Sequence, residues 1–208
     1  EISEQKMAML YLKQQINPHF LYNTLDMIRL KAAINKDTEV SQMLMKLVSF
    51  YRLSTKVYDS MVAVRKEVEM LDAYMSLMCY RYSDIIYRSE IEPGALDIEI
   101  PNFILQPLLE NSLMHGLKDR RYQGTIILKI YRNEQDKNEL NIWLIDDGIG
   151  IPDDKMAELN AYNAKDSEAL YRVQTRTEGD RTHLGVINVI SRLKLYYQEN
   201  AEVIYMRN

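Results

Sequence analysis

The sequence predicts an α+β chain in two parts, a helical hairpin followed by a domain in which helices cover a sheet. Three observations carry this. Apolar residues recur at helical spacing from Met7 to beyond Phe50. From Ile85 onward, short runs of β-like alternation are interleaved with apolar helices. The 208 residues, 47% hydrophobic and 27% charged, are enough for one domain of about 150 residues plus a smaller module.

The first helix carries two stripes. Met7, Leu10, Leu21, Leu25, Ile28 and Ala32 share one face, and Met9, Leu12, Ile16, Phe20, Met27, Leu30 and Ile34 form a second. Two stripes on one helix call for two sets of neighbours, a helix of the same chain and another chain. Asn35, Lys36 and Asp37 form a polar break, and Thr38 is the expected N-cap of a second helix bearing Val40, Met43, Leu44, Leu47, Phe50 and Tyr51. So short a connection implies an antiparallel hairpin. The boundary falls near Tyr58–Val64, giving parts of 1–60 and 61–208, with Tyr58–Val64 as the expected hinge.

A third helix is expected from about Arg65 to Tyr82. Ile85–Glu90 and Leu96–Ile100 alternate like strands around the turn signal Glu92-Pro93-Gly94. Pro101 opens an apolar helix expected to end at Gly116-Leu117, with the glycine as its C-terminal signal. Thr125–Tyr131 and Leu140–Ile145 read as strands, and Asp146–Pro152 as a Gly-rich turn. The polar stretch 153–182 reads as a partly mobile loop. A helix over Leu184–Tyr197 and a strand over Ala201–Met206 follow.

Composition narrows the function. A net charge of −4 argues against a nucleic-acid binder working through a broad basic surface. The single Cys79 excludes an intrachain disulfide framework and suits a reducing compartment. No run approaches the ~18 apolar residues of a membrane span, and no signal peptide is visible. The chain starts at Glu1 inside a helical pattern, so it is expected to be part of a longer protein.

Three segments carry chemistry. In Asn17-Pro18-His19-Phe20-Leu21-Tyr22-Asn23, His19 lies about 160° around the helix from the Leu21/Leu25 stripe. An imidazole with a pKa of about 6.5 is largely neutral at pH 7, so a ring nitrogen can act as a nucleophile; taken alone, a single helical His is more simply a surface residue. In Gln106-Pro107-Leu108-Leu109-Glu110-Asn111-Ser112-Leu113-Met114-His115-Gly116, polar residues interrupt an apolar helix. Asn111 and His115 are four apart and share a face, and an amide oxygen is a hard ligand suited to Mg²⁺. In Asp146-Asp147-Gly148-Ile149-Gly150-Ile151, a carboxylate at a strand end can accept from an amine, and Gly148 and Gly150 let backbone approach a flat ring; the simpler alternative is an ordinary tight turn.

In order and content, these segments resemble the LytS/YesM-type sensor histidine kinases over nearly the whole chain. The resemblance implies a dimerising four-helix bundle built from the hairpin, followed by a Bergerat-type (GHKL) α/β sandwich that binds ATP and Mg²⁺. It implies His19 as the phosphorylated residue, Asn111 as the Mg²⁺ ligand, His115 close to the nucleotide and Asp146 as the adenine-reading carboxylate. His183-Leu184-Gly185-Val186-Ile187-Asn188-Val189-Ile190-Ser191-Arg192-Leu193 resembles the second glycine box, which implies Gly185 and Asn188 on the nucleotide side. The expected activity is ATP-dependent autophosphorylation of His19, then transfer to an aspartate on a response-regulator receiver domain. A homodimer is expected, in the cytoplasmic portion of a bacterial membrane sensor whose spans lie outside this chain.

The match departs from the family pattern at several positions. Asp147 stands where the family usually has Asn, and His183 where many second glycine boxes have Gly. Phe20 follows the His where other histidine kinases carry an acid. Pro107 occupies the position where gyrase- and chaperone-type ATPases carry a water-activating Glu, which favours phosphoryl transfer to a residue over hydrolysis. The rival readings are a degenerate kinase that binds ATP as an interaction module, and a gyrase-type ATPase.

Overall fold

The computed structural model describes residues 18–55, 60–133, 135–136, 138–165, 170 and 184–207. The expectations for residues 1–17, for His183 and for most of the 166–183 stretch lie outside the described residues. The chain divides into two compact units, Glu1–Val57 and Tyr58–Asn208.

The first unit is a hairpin of α1 (Pro18–Ile34) and α2 (Thr38–Ser54). The turn between them holds Lys36 at a φ of 61°. The N-cap of α2 is Asp37, not Thr38, because the Asp37 carboxylate accepts from the Val40 N–H at 3.1 Å. A side-chain oxygen two or three residues before a free helical N–H is what a cap requires. Tyr22 on α1 packs edge-on against Tyr51 on α2, with ring centroids 5.3 Å apart, and its hydroxyl bonds Thr55 Oγ1. Burial in this unit is thin: among its described residues only Ala32 and Val48 are buried. The second stripe on α1 is open, with Phe20 68%, Met27 63% and Ile34 74% exposed.

The second unit begins with β1 (Met61–Ala63), which runs straight into α3 (Val64–Arg81). The expected hinge at Tyr58–Val64 therefore needs correcting at its C-terminal end. Met61–Ala63 pairs antiparallel with β3 (Glu99–Pro101), and Val64 is fully buried. The alternation around Leu96–Ile100 likewise yields only the short β3, after a 3₁₀ turn at Pro93–Ala95. β2 (Ile85–Ile91) instead pairs in parallel with β4 (Gly124–Arg132), and β4 pairs antiparallel with β5 (Leu140–Asp146). Alternate β4 residues Ile126, Leu128 and Ile130 point into the core, where they meet Leu71 and Met75 of α3 and Leu105 and Leu109 of α4 (Leu105–Asn111).

α4 starts four residues later than Pro101 suggests. Its first turn is held by a side chain from α3: Glu67, only 2% exposed, accepts from the N–H groups of Phe103, Ile104 and Leu105 at 2.7, 3.1 and 3.2 Å. These are the donors a helix start leaves without intrahelical partners. Burial pushes the Glu67 carboxyl up, while the three N–H donors and the charge of Arg192 pull against it. Past Asn111 the helix widens into a π turn over Ser112–Leu117, then a 3₁₀ turn over Lys118–Arg120. Gly116 is thus inside the helical path, and Arg121 and Tyr122, at φ 56° and 61°, end it.

Two further expectations change. The stretch from 153 is not all loop: Asp153–Ala161 is a helix (α5), opened by Pro152 and two acidic residues in its first turn, with Leu159 buried. Ala201–Met206 joins no ladder. Its extended backbone is held by side chains instead: Asn163 exchanges hydrogen bonds with Val203 (2.7 and 3.0 Å), and Asn160 with Tyr205 (2.8 and 2.7 Å). The last helix, α6 (Leu184–Tyr197), buries Val186, Ile187, Val189 and Ile190. Among the described residues, no helix is long and apolar enough to cross a membrane.

Glu67→Ala would leave three buried N–H groups without acceptors, and we expect it to cost about 3 kcal/mol or more. Urea unfolding measures this, with Glu69→Ala as control. Glu69 is exposed and paired to Lys66, so its loss is expected to stay within about 0.5 kcal/mol.

Candidate functional site

Asp146 closes β5 opposite Ile126, half-buried at the end of the sheet. The turn that follows folds back onto the π turn. Gly148 N–H donates to Asp146 Oδ1 at 3.0 Å, and Ile149 N–H donates to the Gly116 carbonyl at 3.0 Å. The approach leaves no room for side chains. A Cβ on Gly116 would lie 2.7 Å from Asp146 Oδ1, and one on Gly148 would lie 2.5 Å from the Gly116 carbonyl carbon and oxygen. Gly150 serves differently: its φ of 73° is left-handed, the conformation glycine adopts without penalty.

Asp147 is a fastening residue. Its Oδ1 accepts from Thr125 N–H at 2.7 Å, and its own N–H donates back to the Thr125 carbonyl at 3.2 Å. The Arg120 guanidinium donates to the Asp147 carbonyl and sits 3.7 Å from its carboxylate. A carboxylate at this position thus has a cation beside it, and the turn is tied to β4 and to the end of the helical path.

Asn111 is the last residue of α4 and is half-buried, while His115 lies in the π turn and is exposed. Their shared face, expected from α-helical spacing, is loosened here. In a π turn the fifth residue closes the hydrogen-bonded ring, so a four-residue spacing no longer sets a common face. Beside the Asn111 side chain lies the Tyr205 hydroxyl, shut off from solvent and with no hydrogen bond of good geometry among the described residues. Burial pushes the Tyr205 pKa up to about 12.

Gly185 on α6 faces Pro107 on α4, close enough that a Cβ would lie 3.4 Å from Pro107 Cβ. Seven residues on, Arg192 donates to Asn102 Oδ1 at 2.7 Å and to the Asn102 carbonyl, just before α4. The two helices therefore run antiparallel. Asn188 lies between these contacts on the exposed side of α6. The structure thus joins Asp146, Gly148 and Gly116 directly, and seats Gly185 one turn from Asn111.

His19 is in the other unit, exposed on α1. The Asn23 amide nitrogen is 3.5 Å from its Nδ1 and 3.4 Å from its Nε2. Near-equal distances lie off the line of either ring nitrogen's lone pair, so this contact is loose. Tyr22, one turn on, meets Thr55, which places His19 at the open end of the hairpin, away from the 35–37 turn.

Sequence reasoning did not place Glu67, Gly116, Arg192 or Tyr205 at the site, and took Gly116 only as the C-terminal signal of a helix. For Glu67 a signal existed: it is an acidic residue at a core position of the Val64, Val68, Leu71, Met75 stripe. The other three become visible only through contacts distant in sequence.

Comparison with known proteins agrees on one family. The histidine kinase family model matches residues 7–86. Sensor protein LytS of Oceanobacillus iheyensis is 34% identical over 174 residues, covering 79% of this chain and 29% of LytS. Sensor histidine kinase YpdA of Escherichia coli is 27% identical over 196 residues, covering 92% of this chain and 31% of YpdA. The chain thus spans less than a third of the length of these relatives. Among solved structures, the histidine kinase domain of the Erythrobacter litoralis EL346 blue-light activated histidine kinase superposes with a TM-score of 0.41 at 13% identity, covering 91% of this chain and 81% of that one; no conclusion is drawn from that likeness.

The glycine contacts order three substitutions. Gly148→Ala meets backbone, which cannot give way, and is expected to cost about 3 kcal/mol; Gly116→Ala meets a carboxylate that can swing aside, at about 1–2 kcal/mol. Gly94→Ala, with nothing nearer than 3.6 Å, is expected to be neutral. Thermal unfolding of the three variants checks the order.

Proposed function

The chain belongs to the LytS-type sensor histidine kinases, and from that premise we propose that it binds ATP with Mg²⁺ and phosphorylates its own His19. The observation that carries this is the closure of the Asp146 turn onto Gly116. It leaves a half-buried carboxylate with Oδ1 engaged by Gly148 N–H and with Oδ2 accepting nothing among the described residues. An adenine amine is the donor such an oxygen suits, and Gly148 and Gly116 give the flat approach a purine needs.

The residues around Asn111 fit Mg²⁺. A hard amide oxygen lies next to the solvent-shielded Tyr205 hydroxyl, and Mg²⁺ takes few protein ligands while keeping several waters. Among the described residues no cluster of three or more His, Cys, Asp or Glu could hold a metal, so Asn111 would act with substrate oxygens and water. Bound there, the ion would offset phosphate charge. The protein's own contribution is positioning: Asp146 fixes the base, while α4 and the start of α6 align the phosphates.

In the transfer, a ring nitrogen of His19 attacks the γ-phosphorus, the bond from that phosphorus to the β–γ bridging oxygen breaks, ADP leaves, and the ring N–H proton is released. His19 is exposed, so its ring is accessible to an incoming phosphoryl group. The phosphoryl group then passes to an aspartate of a receiver domain. The open stripe of Phe20, Met27 and Ile34, on a hairpin with only two buried residues, supports a homodimer in which two hairpins form a four-helix bundle.

Incubation with γ-labelled ATP and Mg²⁺ tests the proposal. Acid-labile, alkali-stable label is expected on the chain and absent from His19→Gln; no label with ATP still bound would assign an interaction module instead. Asp146→Asn is expected to weaken ATP binding about 5- to 150-fold, the loss of one buried hydrogen bond. Unchanged affinity by calorimetry would remove Asp146 from the site. Met27→Glu with Ile34→Glu is expected to turn a dimer into a monomer in sedimentation, and a wild-type chain that is monomeric at all concentrations would overturn the bundle.

A further inference from the structure

We propose that Arg192 is a positioning residue for the phosphate end of the nucleotide site, although it stands away from the candidate ligand residues. The inference rests on the ATP-binding proposal above and concerns how that site is held in register.

Three observations carry it. First, α6 touches the α4 segment at two points only seven residues apart, Gly185 against Pro107 and Arg192 against Asn102. These two contacts lie about 10 Å apart along α6, one on each side of Val189 in the shared core, and set the register of α6 on α4. Second, Arg192 is tied into the start of α4 from several sides. Its guanidinium holds both the Asn102 carbonyl and side chain, lies 6.0 Å from the centre of the Phe103 ring, and faces the Glu67 carboxylate that holds the next three N–H groups. Third, the candidate residues sit at the ends of these same two helices. Asn111 is one turn past Pro107 on α4, and Gly185 stands at the start of α6. The Arg192 contact thus fixes the angle at which Gly185 and Asn188 are presented to Asn111.

Asp146 lies outside this linkage. It is positioned by β5, Gly148 and Gly116, none of which Arg192 touches. Loss of Arg192 should therefore disturb the phosphate end and spare the adenine end. The fold should persist, because Val186, Ile187, Val189 and Ile190 keep α6 buried. A residue that only stabilised the fold would weaken both ends together.

The test compares the chain with Arg192→Met and Arg192→Lys, measuring affinity for Mg·ATP and, without metal, for adenosine, with near-UV circular dichroism as the folding control. Arg192→Met is expected to bind Mg·ATP about tenfold more weakly with adenosine affinity unchanged, and Arg192→Lys, which can still reach the Asn102 carbonyl, to recover part of that loss. Equal loss of both ligands, loss of neither, no recovery with Lys, or a wild-type chain that binds Mg·ATP but not adenosine would each overturn the inference. A wild-type chain that binds neither ligand would overturn the proposed function itself.

Discussion

The second unit depends on one carboxylate meeting three backbone amides. Glu67 reaches from α3 to Phe103, Ile104 and Leu105, and without it the start of α4 would carry buried donors with no acceptor. A seven-residue helix has little cooperative stability of its own. Its placement therefore comes from this bond and from Leu105 and Leu109 packing into the core. Burial still pushes the carboxyl's pKa up against the three N–H donors and Arg192, so these contacts offset only part of the cost of burying it. Pro107 and Asn111, further along α4, take their place from that fixed start.

The far end of the same path is fixed by exclusion. A Cβ on Gly148 would run into the Gly116 backbone and one on Gly116 into the Asp146 carboxylate, and the π turn brings Gly116 under Asp146. A π turn is a poorer hydrogen-bonding arrangement than an α-helix and persists where packing or function demands it. Here it widens the path by a residue just as the chain reaches the Asp146 turn. The polar side chain of Asn111 stands at the junction between the regular helix and the widened turn. The least regular stretch of the unit therefore coincides with the densest set of candidate ligand residues.

The sequence reveals elements where period and burial agree. The stripes of α2, α3 and α6, and the alternation of Ile126, Leu128 and Ile130, each follow from one face being buried. It fails where a partner distant in sequence decides. Met61–Ala63 becomes a strand because Glu99–Pro101 lies beside it. Ala201–Met206 stays out of the ladder because Asn160 and Asn163 already hold Val203 and Tyr205. The helix at Asp153 was hidden by its polar surface, since Leu159 is its one buried residue and only Met156 joins it as a large apolar side chain. Motif residues were legible as types, but their neighbours were not: nothing near Asp146 in sequence points to Gly116.

The two units differ in how complete they are, and that difference bears on function. The second buries a continuous core of Val64, Leu71, Leu109, Ile126 and their neighbours, and it holds its candidate nucleotide residues through fixed contacts. Among its described residues the first buries only Ala32 and Val48, leaves the Phe20, Met27 and Ile34 stripe exposed and carries His19 exposed. Two helices with so small a core are marginal alone, so the hairpin needs apolar surface from elsewhere. On the proposed function, a residue that accepts a phosphoryl group and then gives it up would not be sequestered in a core, and His19 is exposed. A nucleotide's base and metal, by contrast, need a pre-arranged cradle. Separating the two tasks lets one unit be rigid and the other exposed, which fixed and loose contacts could not both achieve within a single core.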